Sequence, residues 1–225
     1  MYALNFSSPF NLTESTNLTS LFTAISKAPG GSGSGNNIAP NYLDGGLLAN
    51  DHEFFLYGGL LKRTSTFSEP YGQDVLGYQA YQYGVEKPAF RPGFVQQRLP
   101  GEVTRYLAYG GAVNAPSENK AWYFSGYKSP SAGPIYELTT NVSINAVNVS
   151  GTLITLDMAT QQKETWKNRT LPDNIKGRAN PEVVWLPVGS QGILVVIGGV
   201  VFPEFVESGH QSSNPAASVR VLLDT

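Results

Sequence analysis

The chain has 225 residues, 41% of them hydrophobic, 12% aromatic and only 14% charged, with a formal net charge of −2. This apolar content can build a sizeable core, which excludes a disordered chain, and the near-neutral charge without any Lys/Arg cluster excludes nucleic acid as a partner. The absence of cysteine excludes disulfides, thiolate metal sites and cysteine nucleophiles.

Few charges combined with 24 glycines, 15 prolines, 12 tyrosines and 11 phenylalanines favour short strands joined by turns, hence an all-β fold. Residues 2–6 alternate apolar and polar and predict one short strand. Residues 11–42 are polar and contain the Gly/Ser run 30–35, a flexible linker by composition, with at most a helical turn or two over 18–25. Met1 is followed by neither a basic region nor a continuous apolar run, so no signal peptide is visible, and no apolar run is long enough to span a membrane.

A repeated unit then begins. Apolar, aromatic runs end in a glycine pair or its remnant at Tyr57-Gly58-Gly59, Phe124-Ser125-Gly126 and Ile197-Gly198-Gly199. The intervals from Gly59 to Gly126 and from Gly126 to Gly199 are 67 and 73 residues, the size of a repeated β unit. Predicted strands fall at 45–48, 53–57, 76–83 and 94–98 in the first unit, and at 105–113, 121–124, 153–156 and 164–167 in the second. The third has strands at 182–187, 193–197 and 219–223 and lacks a fourth. Two further offsets suggest register: Arg105 and Arg178 each lie 21 residues before the closing glycine, and the pairs Leu99-Pro100 and Leu171-Pro172 are 72 apart.

The glycine pairs, a later tyrosine (Tyr78 or Tyr81) with Phe94, and Trp166 after Gly126 resemble the kelch repeat. Segments such as Val184-Trp185-Leu186-Pro187-Val188-Gly189 look like the long kelch-type cell-surface proteins of filamentous fungi. The pattern departs from the family where Ser125 replaces a glycine, Phe94 stands for a tryptophan, and no tryptophan follows Gly199. The resemblance implies a β-propeller of which this chain supplies a partial ring of about three four-stranded blades. Residues 1–42 would be the leading strand of a preceding blade plus linker. The blades would span about 43–99, 100–171 and 172–225, the last incomplete. A ring normally closes with at least four blades, so the expectation is a fragment or truncated product of a longer ring, or one that other copies complete, prone to aggregate when isolated.

In this frame Gly58, Gly59, Gly126, Gly198 and Gly199 are structural, placed where the backbone needs positive φ or close approach; no helix follows them to make a phosphate cradle. Trp122, Trp166 and Trp185 would pack between blades. Arg105 and Arg178 would bond loop carbonyls or line a central channel. His52 and His210 lie in predicted loops far apart, without a second histidine at metal-ligand spacing, and no serine sits in a nucleophile elbow. Copper radical oxidases related to galactose oxidase share the propeller, but their cofactor resembles a tyrosine cross-linked to cysteine, which this chain cannot form.

The expectation is therefore a non-catalytic propeller segment without a cofactor, binding protein or glycan through long insertions at 60–74, 127–151 and 200–217. Candidate contacts there are Phe67, Tyr71, Tyr127, Tyr136, Phe202, Phe205 and His210, unless the insertions are glycosylated spacers. The alternatives are a degenerate metal-dependent oxidase- or lyase-like propeller and an intracellular kelch scaffold. Six N-x-Ser/Thr acceptors at Asn5, Asn11, Asn17, Asn141, Asn148 and Asn168 point to a secreted or cell-surface glycoprotein.

Overall fold

A computed structural model describes residues 2–4, 18–24, 42–62, 74–80, 92–128, 135–136, 148–161, 163–201 and 220–224. These are all-β: strands with two short 3-10 turns and no α-helix. Strand β1 (Tyr2–Leu4) pairs antiparallel with β2 (Phe22–Ala24) in a two-stranded sheet of its own, the 3-10 turn Leu18–Leu21 leading into β2. After β3 (Tyr42–Leu43) the first large sheet forms from β4 (Gly46–Ala49), β5 (Glu53–Tyr57), β7 (Asp74–Ala80) and β8 (Pro92–Arg98), in that spatial order. Strand β6 (Leu60–Lys62) leaves this sheet and pairs with β3.

The second unit repeats this order. Strand β9 (Leu107–Ala108) precedes β10 (Gly111–Ala115) and β11 (Lys120–Phe124), and β12 (Tyr127–Lys128) leaves the sheet to pair with β9. After β13 (Ile135–Tyr136) and β14 (Asn148–Val149), β15 (Thr152–Asp157) and β16 (Thr165–Thr170) complete a second antiparallel sheet ordered β10-β11-β15-β16. The third sheet contains β17 (Ala179–Leu186), β18 (Ile193–Val200) and β19 (Arg220–Asp224). The three are numbered sheets I, II and III below.

Alternation along the strands explains how the sheets stack, because successive side chains of a strand point to opposite faces. Leu48, Phe55 and Tyr57 on one face of sheet I share a core with Ala121, Tyr123, Ile154, Leu156 and Trp166 of sheet II. The opposite face of sheet II repeats the arrangement: Trp122, Phe124 and Leu153, with half-buried Val113, pack against Val183, Leu194 and Val196 of sheet III. Each core is closed at its edge by the connection between sheets, Leu99 and Val103 in the first and Leu171 and Ile175 in the second. Both Leu-Pro pairs open the same turn, in which the residue three beyond proline donates to its carbonyl, Val103 to Pro100 at 2.9 Å and Ile175 to Pro172 at 2.8 Å.

The innermost strands β4, β10 and β17 run beside one another, and the sequence allows this through Gly46 and Gly111. A Cβ on Gly46 would lie 2.7 Å from the Ala112 Cβ, and one on Gly111 would lie 2.3 Å from a Val183 methyl. Asn114 ties the first two together, accepting from the Ala49 amide at 2.8 Å and donating to the Leu47 carbonyl at 3.1 Å, so the free edge of β4 is satisfied by a side chain.

Two phenols are sealed inside the first core. The Tyr57 hydroxyl donates to the Thr104 carbonyl, and the Tyr123 hydroxyl accepts from the Gly110 amide at 2.8 Å. Burial, with the neighbouring Tyr123, pushes the Tyr57 pKa up; burial, opposed by the Gly110 amide and reinforced by Asp44, pushes Tyr123 up as well. The native state therefore keeps protons that the unfolded chain, with phenols near pKa ~10, gives up. Stability contributed by the neutral phenols is intact below that pH and falls above it, by up to about 1.4 kcal/mol per pH unit for each group. Alkaline titration is expected to show a fraction of tyrosinate absorbance appearing only together with the cooperative loss of circular dichroism; all tyrosines ionising before unfolding would contradict this.

Candidate functional site

The repeated corner is the organising element of the candidate site. All six residues of the glycine pairs and their remnant have positive φ: +69° and +89° at Gly58 and Gly59, +56° and +92° at Ser125 and Gly126, and +64° and +78° at Gly198 and Gly199. Ser125 tolerates this left-handed conformation because its hydroxyl is used, donating to the Ser150 carbonyl at 2.5 Å and accepting from the Arg178 amide at 2.8 Å. A second set of positive-φ residues, Asp44, Tyr109 and Asn180, marks the entry to each sheet, just before β4 and β10 and at the second residue of β17.

These residues couple one sheet to the next in the same way twice. The Tyr109 amide donates to the Asp44 carbonyl at 2.9 Å, and the Asn180 amide donates to the Tyr109 carbonyl at 2.7 Å. The Gly59 amide donates to Leu107 at 2.7 Å, and the Gly126 amide to Arg178 at 3.1 Å. Such main-chain groups must find partners, and here the corner amides find theirs at the entry of the following sheet while the entry amides find theirs at the entry of the preceding one.

The equal 21-residue spacing of Arg105 and Arg178 does not make them equivalent. Asn180 corresponds to Tyr109, so Arg178 aligns with Leu107; the β17–β18 hairpin is two residues longer than the β10–β11 hairpin, which restores the interval to the glycine by coincidence. The predicted strand 105–113 is likewise divided into β9 and β10 by Tyr109 and Gly110, and Arg105 lies before β9. Arg178 bridges two corners, its guanidinium donating to the Gly198 carbonyl at 2.8 Å. Arg105 is buried with its guanidinium 4.8 Å over the Tyr106 ring, a cation–π geometry.

Immediately beyond each corner the chain enters an insertion. The insertions of units I and II meet, since β13 from the second pairs in parallel with β6 of the first, Ile135 opposite Leu61 and Tyr136 opposite Lys62. Strand β14, at the end of the second insertion, returns to pair with β12, giving the small sheet β14-β12-β9. Tyr127 was expected among exposed contact residues; instead its ring is buried at 4% exposure, 5.6 Å from Tyr109 in an edge-to-face arrangement. Tyr136 lies on β13 and Asn148 on β14, while Phe67, Tyr71, Phe202, Phe205 and His210 lie outside the described residues, as do Asn5, Asn11, Asn17 and Asn141.

Trp166 lies within the first core, stacked at 28° on Tyr57 and edge-on to Phe55, both at 5.5 Å. Asn168 is exposed, and its side-chain amide donates to the Glu102 carbonyl at 2.7 Å. Among the described residues no three His, Cys, Asp or Glu side chains gather as a metal-binding group. No described helix is long and apolar enough to cross a membrane.

One feature went unread in the sequence. On the outer half of sheet II, on the face turned away from sheet I, a cavity of about 150 Å³ opens over the rungs Lys120-Asp157-Thr165 and Trp122-Thr155-Lys167, with Arg169 beside them. Lys167 and Arg169 alternate along β16, and the register that sets Lys167 opposite Thr155 brings them to one cavity with Lys120.

No family model matches this chain, and no curated protein matches it. Among solved structures it is similar to a fungal alcohol oxidase of the AA5 family in complex with copper, at 14% sequence identity and a TM-score of 0.37, over 77% of this chain and 41% of that one. The chain thus spans less than half the length of that protein.

Proposed function

We propose that this chain is a segment of a kelch-type β-propeller whose insertions form one recognition surface for protein or glycan, in a protein that works outside the cell or at its surface. The observation that carries the reading is the β6–β13 ladder, which fastens the insertion of one unit to that of the next. Insertions joined in this way form a common surface on a rigid support, the usual arrangement for recognition loops. The propeller geometry is supported by the side-by-side innermost strands, the coupling of each corner to the following sheet, and the antiparallel meanders of sheets I and II. The six glycosylation acceptors support the extracellular placement.

The test is replacement of residues 129–147 by a short Gly/Ser linker in protein from a eukaryotic secretory host, with wild type and variant applied to an array of cell-wall glycans and matrix proteins. The expected result is an unchanged thermal transition and loss of the wild-type binding signals. Undiminished binding by the variant would overturn the reading. So would a stoichiometric transition metal retained through dialysis, which favours the oxidase- or lyase-like alternative.

A further inference from the structure

We propose that the cavity on the outer half of sheet II is a second, separate binding site, selective for an acidic sugar residue such as a uronate. It stands apart from the insertion surface and does not depend on it. Lys120, Lys167 and Arg169 all line this cavity, with one carboxylate, Asp157, among them. Lys167 and Arg169 are two residues apart on one strand face, about 7 Å along the chain. None of the three cations has a hydrogen-bond or ion-pair partner among the described residues. Their mutual repulsion is relieved by an anion at the centre, which is where the cavity lies.

The remaining lining specifies more than charge. The Thr155 hydroxyl is buried without a hydrogen-bond partner, and a buried orphan hydroxyl is costly unless something occupies the space before it. Asp157 accepts the Ala159 amide through one oxygen at 2.9 Å, leaving the other for a donor. A bare dianion has no hydrogen to donate to that oxygen, whereas a sugar hydroxyl would donate to it. Trp122 supplies an apolar wall for the ring's C–H groups. A volume of about 150 Å³ has room for one sugar ring.

The site is also a departure from the repeat. In sheet I the register positions matching Lys167, Arg169 and Thr155 hold Val95, Gln97 and Gly77. A cationic cluster that the repeat does not require, in a protein with only 15 lysines and arginines, indicates a local purpose.

Titration calorimetry with trigalacturonate, the neutral galactose trisaccharide and inorganic sulfate separates the possibilities. Trigalacturonate is expected to bind the wild type, to weaken at least about tenfold in the double variant Lys167→Glu/Arg169→Glu, and to weaken as salt rises. Both substituted residues are exposed, so the fold should survive. Thr155→Val should weaken the same ligand without altering its salt dependence, which a purely electrostatic patch would not show. Binding is expected to persist when residues 129–147 are replaced, so failure of the insertion surface and failure of this cavity are read independently. Equal binding of sulfate and trigalacturonate, equal binding of the neutral trisaccharide, or indifference to the double variant would each overturn the proposal.

Discussion

Trp166→Ala is expected to destabilise the protein by about 3–5 kcal/mol, a large part of the 5–15 kcal/mol that holds most domains together. The indole belongs to β16, the outermost strand of sheet II, yet its ring contacts are Tyr57 and Phe55 of sheet I. Truncation therefore opens a cavity between two sheets rather than at the margin of one, and neither wall can collapse without shifting a whole sheet. Urea unfolding followed by circular dichroism should show the midpoint falling steeply, and Trp166→Phe should recover most of the loss. A cost below about 1 kcal/mol would mean that the two sheets do not share this core.

Gly126→Ala is expected to cost about 3 kcal/mol or more, and Gly198→Ala about 1. Both positions have positive φ, +92° and +64°, so both substitutions carry conformational strain. The difference lies in space: a Cβ on Gly126 would lie 2.5 Å from the Ala108 carbonyl oxygen and 2.7 Å from the Gly110 nitrogen, whereas one on Gly198 meets nothing within 4 Å. Those atoms are backbone, so relief requires moving β9 and breaking the bond from the Gly126 amide to Arg178. Thermal melts of the two variants side by side test the contrast; equal shifts would assign the whole effect to φ.

The corners were legible because positive φ is costly for residues with a Cβ, which leaves glycine as a visible mark at Gly59, Gly126 and Gly199. The exception at Ser125 was visible as a break but not as a solution, since its hydroxyl is used by Ser150 and Arg178, residues far along the chain. The long strands were legible from alternation and aromatic content. Two-residue strands such as β9, β12 and β14 are too short to show a period, and the insertion contact at β6 and β13 depends on tertiary pairing alone. Spacing misled at Arg105 and Arg178, because a longer hairpin hid a change of register. Tyr127 misled because its position in an insertion did not reveal that Tyr109 covers it.

The bonds that run from Tyr109 back to Asp44 and from Asn180 back to Tyr109 give the stack a polarity, each entry bonding back to the preceding unit and each corner, at Gly59 and Gly126, bonding forward to the next. Exposed apolar side chains lie at both extremes, Leu47 on sheet I and Val184 and Ile197 on sheet III. In such a polar array, tandem duplication of one module lengthens the row while leaving every earlier joint untouched. Diversity among descendants of this architecture can thus accumulate by counting, through gain or loss of whole modules, before any joint has to be reinvented.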